Sequence, residues 1–402
     1  MMQRALNALQ HVKSPVISIL GFLVSFSFLA AADGAEETPY FVGPQSCRPC
    51  HQEIYETYVQ TAHFNTSRTA NEHSIKGSFA YGRNILRTRD PNVYFQMEKR
   101  KDGFYQTAYR SAESSVGSRG ERFDLVMGSG RKGQSYLYWR EGLLYQLPVS
   151  YFKAAGRWTN SPGMIDGQIV FDRFISPRCL ECHTTLFQAE VHGSKVRYSE
   201  RFVLGLSCEK CHGAASTHVA FHKENLQATA GRHILNPEQF SRERKLDQCA
   251  LCHSGAGKSI KPPFSYLPGE PLAGYLETDP VREDARPDVH GNQVGLLRLS
   301  RCFVASDDMS CSTCHNVHAE ERDLPQLAQK CVRCHEPPDC GIVRKVGPSA
   351  RQHCIGCHMA DQRSSVITID SDTEAFAQRY RNHTIAIYPE ATQRVLKRLN
   401  EK

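Results

Sequence analysis

Seven copies of one pentapeptide, Cys-x-x-Cys-His, constrain this chain more than any other feature. They are Cys47-Arg-Pro-Cys50-His51, Cys179-Leu-Glu-Cys182-His183, Cys208-Glu-Lys-Cys211-His212 and Cys249-Ala-Leu-Cys252-His253, then Cys311-Ser-Thr-Cys314-His315, Cys331-Val-Arg-Cys334-His335 and Cys354-Ile-Gly-Cys357-His358. They use all but two of the 16 cysteines. The spacing has a chemical reason. The two thiols add across the two vinyl groups of a haem as thioethers, the two-residue spacer matches the vinyl separation, and the adjacent histidine lies under the iron as its proximal ligand. Zinc ribbons and redox Cys-x-x-Cys pairs do not need a histidine at the same offset every time. The pattern predicts seven covalently attached haems c.

Covalent haem attachment suits an exported chain, and the N-terminus agrees. Arg4 and Lys13 precede an apolar run from Val16 to Ala32, and an acidic, polar stretch from Asp33 to Thr38 follows. This is the order of a secretory signal, with Ala30 and Ala32 fitting a small-residue cleavage site before Asp33. The alternative is an uncleaved N-terminal membrane anchor. The formal net charge of +7 comes from dispersed residues with no basic block, which argues against nucleic acid. A hydrophobic content of 40% with 23% charged residues excludes a disordered or a polytopic membrane protein.

The motifs are irregularly spaced, so equal solenoid repeats are excluded. Six of them crowd between Cys179 and His358, too little chain per haem for an ordinary apolar core. The expectation is a mostly α or irregular fold packed around its porphyrins. Its segments are a signal peptide at 1–32, a first haem segment at 40–68, a haem-free insertion at 69–176, a six-haem region at 177–390 and a C-terminal tail at 391–402. The insertion reads as antiparallel β structure. Val93 to Glu98 alternates as a strand, Asp102-Gly103 reads as a hairpin turn, and Glu141-Gly142 reads as another. The Gly-x-Gly-x-x-Gly at Gly128–Gly133 is followed by a strand pattern, which makes it a hairpin loop and not a dinucleotide site.

Each iron has a second axial position. Histidines outnumber methionines around the clustered motifs, so mostly bis-histidine, low-potential haems are expected. The candidate distal ligands are His63, His192, His218, His290, His318 and His383, with His73, His222, His233 and His353 less well placed. His318 lies one turn after His315 and cannot reach the other face of the same iron, so it would serve a neighbouring haem, and similar logic applies to His218. Two cysteines remain, Cys302 and Cys340. An even remainder in an exported chain points first to a disulfide; two separate buried thiols, or a thiol on an iron, are the alternatives.

The stretches Gly43–His63, Cys208–His218, Met309–His318 and Cys354–His383 resemble, in that order, the haem elements of multihaem cytochromes c of the cytochrome c-552/4 type. The likeness covers about 40–68 and 176–390, and within it His63 resembles the distal histidine beside the opening haem. The resemblance implies a periplasmic electron carrier with redox proteins as partners, among them a membrane-associated quinol or respiratory complex. All seven motifs end in His, which departs from the Cys-x-x-Cys-Lys site of nitrite-reducing relatives. A redox enzyme acting on a small nitrogen or sulfur compound at one open iron is the alternative, and no catalytic residue is assigned.

Overall fold

A computed structural model describes residues 38–112, 115–192, 195–281, 292–336, 340–370 and 376–401. The signal segment at 1–32 and His290 fall outside them. All described residues but Thr38 belong to one compact unit, Pro39–Lys402.

The haem-free middle folds as two antiparallel sheets. Strands β1 (Ser67–Thr69), β2 (Ile85–Arg87), β3 (Val93–Arg100), β4 (Gly103–Ala112), β5 (Ser115–Arg122) and β6 (Leu125–Met127) come first. They are followed by β7 (Gly133–Arg140), β8 (Leu143–Gln146), β9 (Val149–Phe152), β10 (Arg157–Asn160) and β11 (Arg173–Phe174). One sheet is the meander β2-β3-β4-β5; the other runs β1-β6-β7-β8-β11, with β9 and β10 added through β7. The period-two alternation of β3 is realised, with Val93, Phe95 and Met97 buried and the residues between them half-buried. Glu141 and Gly142 both take positive φ, 55° and 74°, and close a two-residue turn whose twist suits the strands it joins. Gly128–Gly133 links β6 to β7, as the strand pattern after it required.

The sheets bury a common core. Leu86, Phe95, Met97 and Ala108 from the meander pack with Phe123, Tyr136, Leu147, Val149 and Trp158 from the second sheet. Gln106, fully buried, crosses between them: its side chain donates to Val149 O and accepts from Val149 N. That pairing lets an amide sit in the apolar layer without an unmet hydrogen bond.

The expectation of a mostly α or irregular chain is overturned. About 30% of the structure is helical and 26% is strand. The sheet structure does not end with the insertion. A long hairpin, β12 (Thr184–His192) with β13 (Lys195–Leu204), follows the second motif, and two further hairpins join Lys258–Ser259 to Leu276–Glu277 and Asp361–Ile369 to Phe376–Arg381. Alternating Phe187, Val191, Val196, Tyr198 and Phe202 carry the strand signal, and the helical turn of the motif does not extend beyond it. Phe187 and Tyr198 join Leu125, Leu137, Leu144 and Leu180 in a second core. The six-motif region has an apolar cluster of its own as well, built on Leu246, Leu251, Leu272, Val294 and Phe303, so porphyrins are not its sole packing material. The segment expected as a tail forms most of a helix, Pro389–Asn400, which buries Ala391 and Val395.

Because the sandwich has its own core, Phe95→Ala should lower its unfolding free energy by about 3–5 kcal/mol. Denaturant titration followed by circular dichroism checks this, and a loss under about 1 kcal/mol would mean the strands depend on something other than this core.

Candidate haem sites

Every motif folds as a single helical turn. The carbonyl of the first cysteine accepts from the histidine N–H at 3.0 Å in the first, third and sixth motifs and at 2.9 Å in the fifth. The second motif ends the helix Pro177–His183, the fourth ends Arg242–His253, and the seventh is the helix Cys354–His358. A turn with this bonding brings residues three and four apart onto one face, so both thiols and the imidazole point the same way.

Four motif histidines each face a second histidine from elsewhere in the chain. The ring centres of His51 and His218 are 6.4 Å apart, those of His212 and His318 6.1 Å, those of His63 and His253 6.1 Å, and those of His315 and His383 6.2 Å. An imidazole nitrogen binds a metal at about 2 Å and the ring centre lies about 1.2 Å further out, so two imidazoles on opposite faces of one iron have centres about 6.4 Å apart. The donor set therefore fits a haem iron between each pair. His318 meets the third motif and not its own, as its position one turn beyond His315 required. His63 meets the fourth motif and not the adjacent first, because the helix Gln52–Tyr58 stops short of it. Asn65 Nδ2 donates to Val59 O and Thr61 O there, turning the chain away from a longer helix.

Hydrogen bonds to main-chain carbonyls orient several of the rings. His212 Nδ1 lies 2.8 Å from Leu235 O, His218 Nδ1 2.7 Å from Arg232 O, His358 Nδ1 3.1 Å from Ala386 O and His383 Nδ1 3.2 Å from Arg381 O. A carbonyl only accepts, so each Nδ1 donates and Nε2 is the nitrogen left to face a metal. Burial pushes His253 and His383 down to about 4 and lowers His51, His63, His315 and His318 as well. Neutral imidazole is the ligating form.

Motifs distant in sequence are locked together, often through their spacer residues. Cysteine side chains meet in four pairs: Cys47 with Cys208, Cys182 with Cys252, Cys249 with Cys311, and Cys331 with Cys354. Glu209, a spacer residue of the third motif that is 1% exposed, accepts from Val42 N at 2.9 Å, Gly43 N at 2.8 Å and Ala215 N at 3.1 Å. It thereby holds the loop before the first motif against the third. Glu181, in the spacer of the second, accepts from Phe264 N and pairs with Arg178 at 2.7 Å, while Arg178 also donates to Leu251 O beside the fourth. Gln248 donates to Cys211 O, and Ser300 donates to His383 O, bringing that histidine towards the fifth motif. Sequence reasoning missed Glu209, Glu181 and Arg178. For Glu209 and Glu181 a charged residue inside a motif spacer was the only trace, and for Arg178 a charge just before its motif.

His192 ends β12, and its side chain lies outside the described residues. His183 Nδ1 is 2.9 Å from Thr66 Oγ1, beside the edge of β1. His222 stands next to His218, with ring centres 4.6 Å apart, and its buried Nε2 has no hydrogen-bond partner among the described residues. Cys302 and Cys340 are free thiols here; Cys302 lies near Cys314 and Cys331, and Cys340 near Cys357.

The family model for cytochrome c554 and c-prime matches residues 46–89 and 159–213, which hold the first three motifs. Over those residues the chain resembles multihaem cytochromes c. Its fold is similar to the crystal structure of the outer cell wall cytochrome OcwA, with 15% identity, a TM-score of 0.53, and coverage of 88% of this chain and 81% of that chain. An undecahaem cytochrome from the S-layer of Carboxydothermus ferrireducens is 14% identical with a TM-score of 0.40, and the match spans 90% of this chain and 61% of that one. No curated protein matches the sequence.

Glu209→Ala would strand three backbone N–H groups and release the first motif from the third. The protein should lose at least about 2 kcal/mol of stability. Thermal melting of the holoprotein checks this. Glu209→Gln, which keeps an acceptor, should lose less.

Proposed function

We propose that this chain is an exported electron carrier holding seven haems, with electrons passing between redox partner proteins along a connected series of mostly bis-histidine sites. The single observation that carries the reading is the set of four histidine pairs at iron-spanning separation. In each, one ring comes from a haem motif and the other from a distant segment. Haem c supplies reversible one-electron chemistry at its iron. The chain supplies the rest. Cysteines of each motif anchor the porphyrin, the motif histidine takes one face, and His218, His318, His63 and His383 take the other face at the first, third, fourth and fifth motifs. His192 and His290 are kept as candidates for the remaining motifs. Two ligands at each of these four irons would leave no position for a substrate there.

The cysteine contacts suggest an order. The first motif adjoins the third, the fourth adjoins the fifth, and the sixth adjoins the seventh. The third joins the fourth through Gln248 and the neighbouring Cys211 and Cys249, and the fifth joins the sixth through Cys314 and Cys331. The second attaches to the fourth at Cys182, so the fourth site has neighbours on three sides. Export rests on the signal-like segment. No helix among the described residues is long and apolar enough to cross a membrane. A location beyond the cytoplasmic membrane also suits a fold shared with an outer cell wall cytochrome. Cys302 and Cys340 remain a candidate disulfide in that oxidising setting.

Mass spectrometry of the mature protein should show seven haem additions and a start near Asp33; fewer than six would overturn full loading. Replacing one distal ligand tests the carrier reading. His63→Ala should turn one haem high-spin and reactive with carbon monoxide, leaving the others low-spin. The exposed His73→Ala should leave the spectrum unchanged. An unaltered spectrum in His63→Ala would contradict the assignment. Ring planes also leave a signature: they are 66° apart at His63–His253 but 17° and 12° apart at His51–His218 and His212–His318. Parallel rings act on the same iron d orbital and crossed rings on two, so low-spin resonance spectra should resolve the crossed site from the others.

A further inference from the structure

The β sandwich has a cleft that the haem sites do not use. It encloses about 620 Å³ where residues 76–87 pass the turn between β9 and β10. Lys76, Arg83, Arg87 and Arg157 line it, and no carboxylate does. Elsewhere on the sandwich, arginines are neutralised by close acids. Arg89 pairs with Asp166 at 3.2 Å, Arg122 with Asp124 at 2.8 Å and Arg140 with Asp172 at 2.8 Å. Lys76, Arg83 and Arg87 have no such partner among the described residues. Several like charges gathered in one concavity create a field that attracts an anion.

The cleft is aromatic as well as cationic. Its floor is Trp158, 2% exposed, whose indole N–H donates to Ser78 O at 2.7 Å. Phe79, Tyr136 and Tyr151 pack around that indole at 5.8, 5.5 and 6.1 Å between ring centres. Gly77 is required there, because a Cβ would fall 2.0 Å from Trp158 Cζ2. The floor is thus fixed before any ligand arrives. At the rim stands Tyr81, 99% exposed, a large ring that buries almost nothing in the protein. A volume of this size is that of a small-molecule site, for which about 300–1,000 Å³ is usual.

We infer that this cleft binds a planar aromatic acid, a flat ring system bearing a carboxylate, sulfonate or phosphate. Arg83 and Arg87 take the acidic group, each able to donate two parallel hydrogen bonds to its oxygens. Tyr81 lies on the ring face, where offset stacking is favourable. This assignment is independent of the number and ligation of the haems.

Calorimetric titration of the holoprotein with 2-naphthalenesulfonate tests it. One molecule should bind per chain, and R83Q/R87Q should weaken binding by at least about tenfold. Tyr81→Ala should weaken it too, and cyclohexanesulfonate, which has the charge without the flat ring, should bind at least about tenfold more weakly than the aromatic acid. Arg83, Arg87 and Tyr81 are exposed, so the variants should keep the haem absorption and circular dichroism of the parent. Absence of binding, equal affinity for the two sulfonates, or unchanged affinity in R83Q/R87Q would overturn the proposal. So would capture of dextran sulfate, a long polyanion, without 2-naphthalenesulfonate.

Discussion

Four pairs of imidazoles stand at the separation that an iron between them would need, and in each pair the second ring comes from far away in sequence. His51 faces His218, His63 faces His253, His212 faces His318 and His315 faces His383. Each pair is a long-range closure whose entropy must be met by the bonds made there. Metal binding of this kind is folding free energy, because the two rings are brought together only in the native chain. The segments from 47 to 63 and from 208 to 218 consequently cannot be placed separately. The first motif is met by a histidine beyond the third, and the histidine beyond the first motif serves the fourth.

The protein scaffold prepares these closures. Glu209 ties the entry of the first motif to the third by three backbone N–H groups, and Arg178 ties the second to the fourth through main-chain oxygens. The sheets take part. Ser67, in the edge strand β1, donates to His183 O and accepts from Gly205 N, so the β structure grips the second motif from both sides. The sandwich with its own apolar core thus holds the second motif in place and separately offers a cleft of different chemistry.

The attachment chemistry was legible from the sequence, because Cys-x-x-Cys-His is a local pattern whose meaning does not depend on the fold. The hairpin turn at Glu141-Gly142 was legible for the same reason, since positive φ at both positions is a local demand, whereas the turn expected at Asp102-Gly103 falls one residue earlier, at Lys101-Asp102, with Gly103 paired to Arg100 in the strand. Strands β12 and β13 were missed although Phe187, Tyr198 and Phe202 alternate, since two nearby haem motifs suggested helix on either side. Partnership was the least legible. Nothing near His63 says that it faces His253, because that contact is decided by tertiary packing and by side chains such as Asn65 that end a helix early. His192 and His383 look alike as isolated residues, and tertiary contacts such as the Ser300 bond to the carbonyl of His383 and the facing ring of His315 are what place the second.

The central claim is that these histidine pairs are axial pairs. An experimental density map of the oxidised holoprotein tests it most directly. The account predicts an iron midway between His51 and His218, His212 and His318, His63 and His253, and His315 and His383, each bound through Nε2. An iron at any of those four motifs bound by a different second residue, or by none, would contradict it.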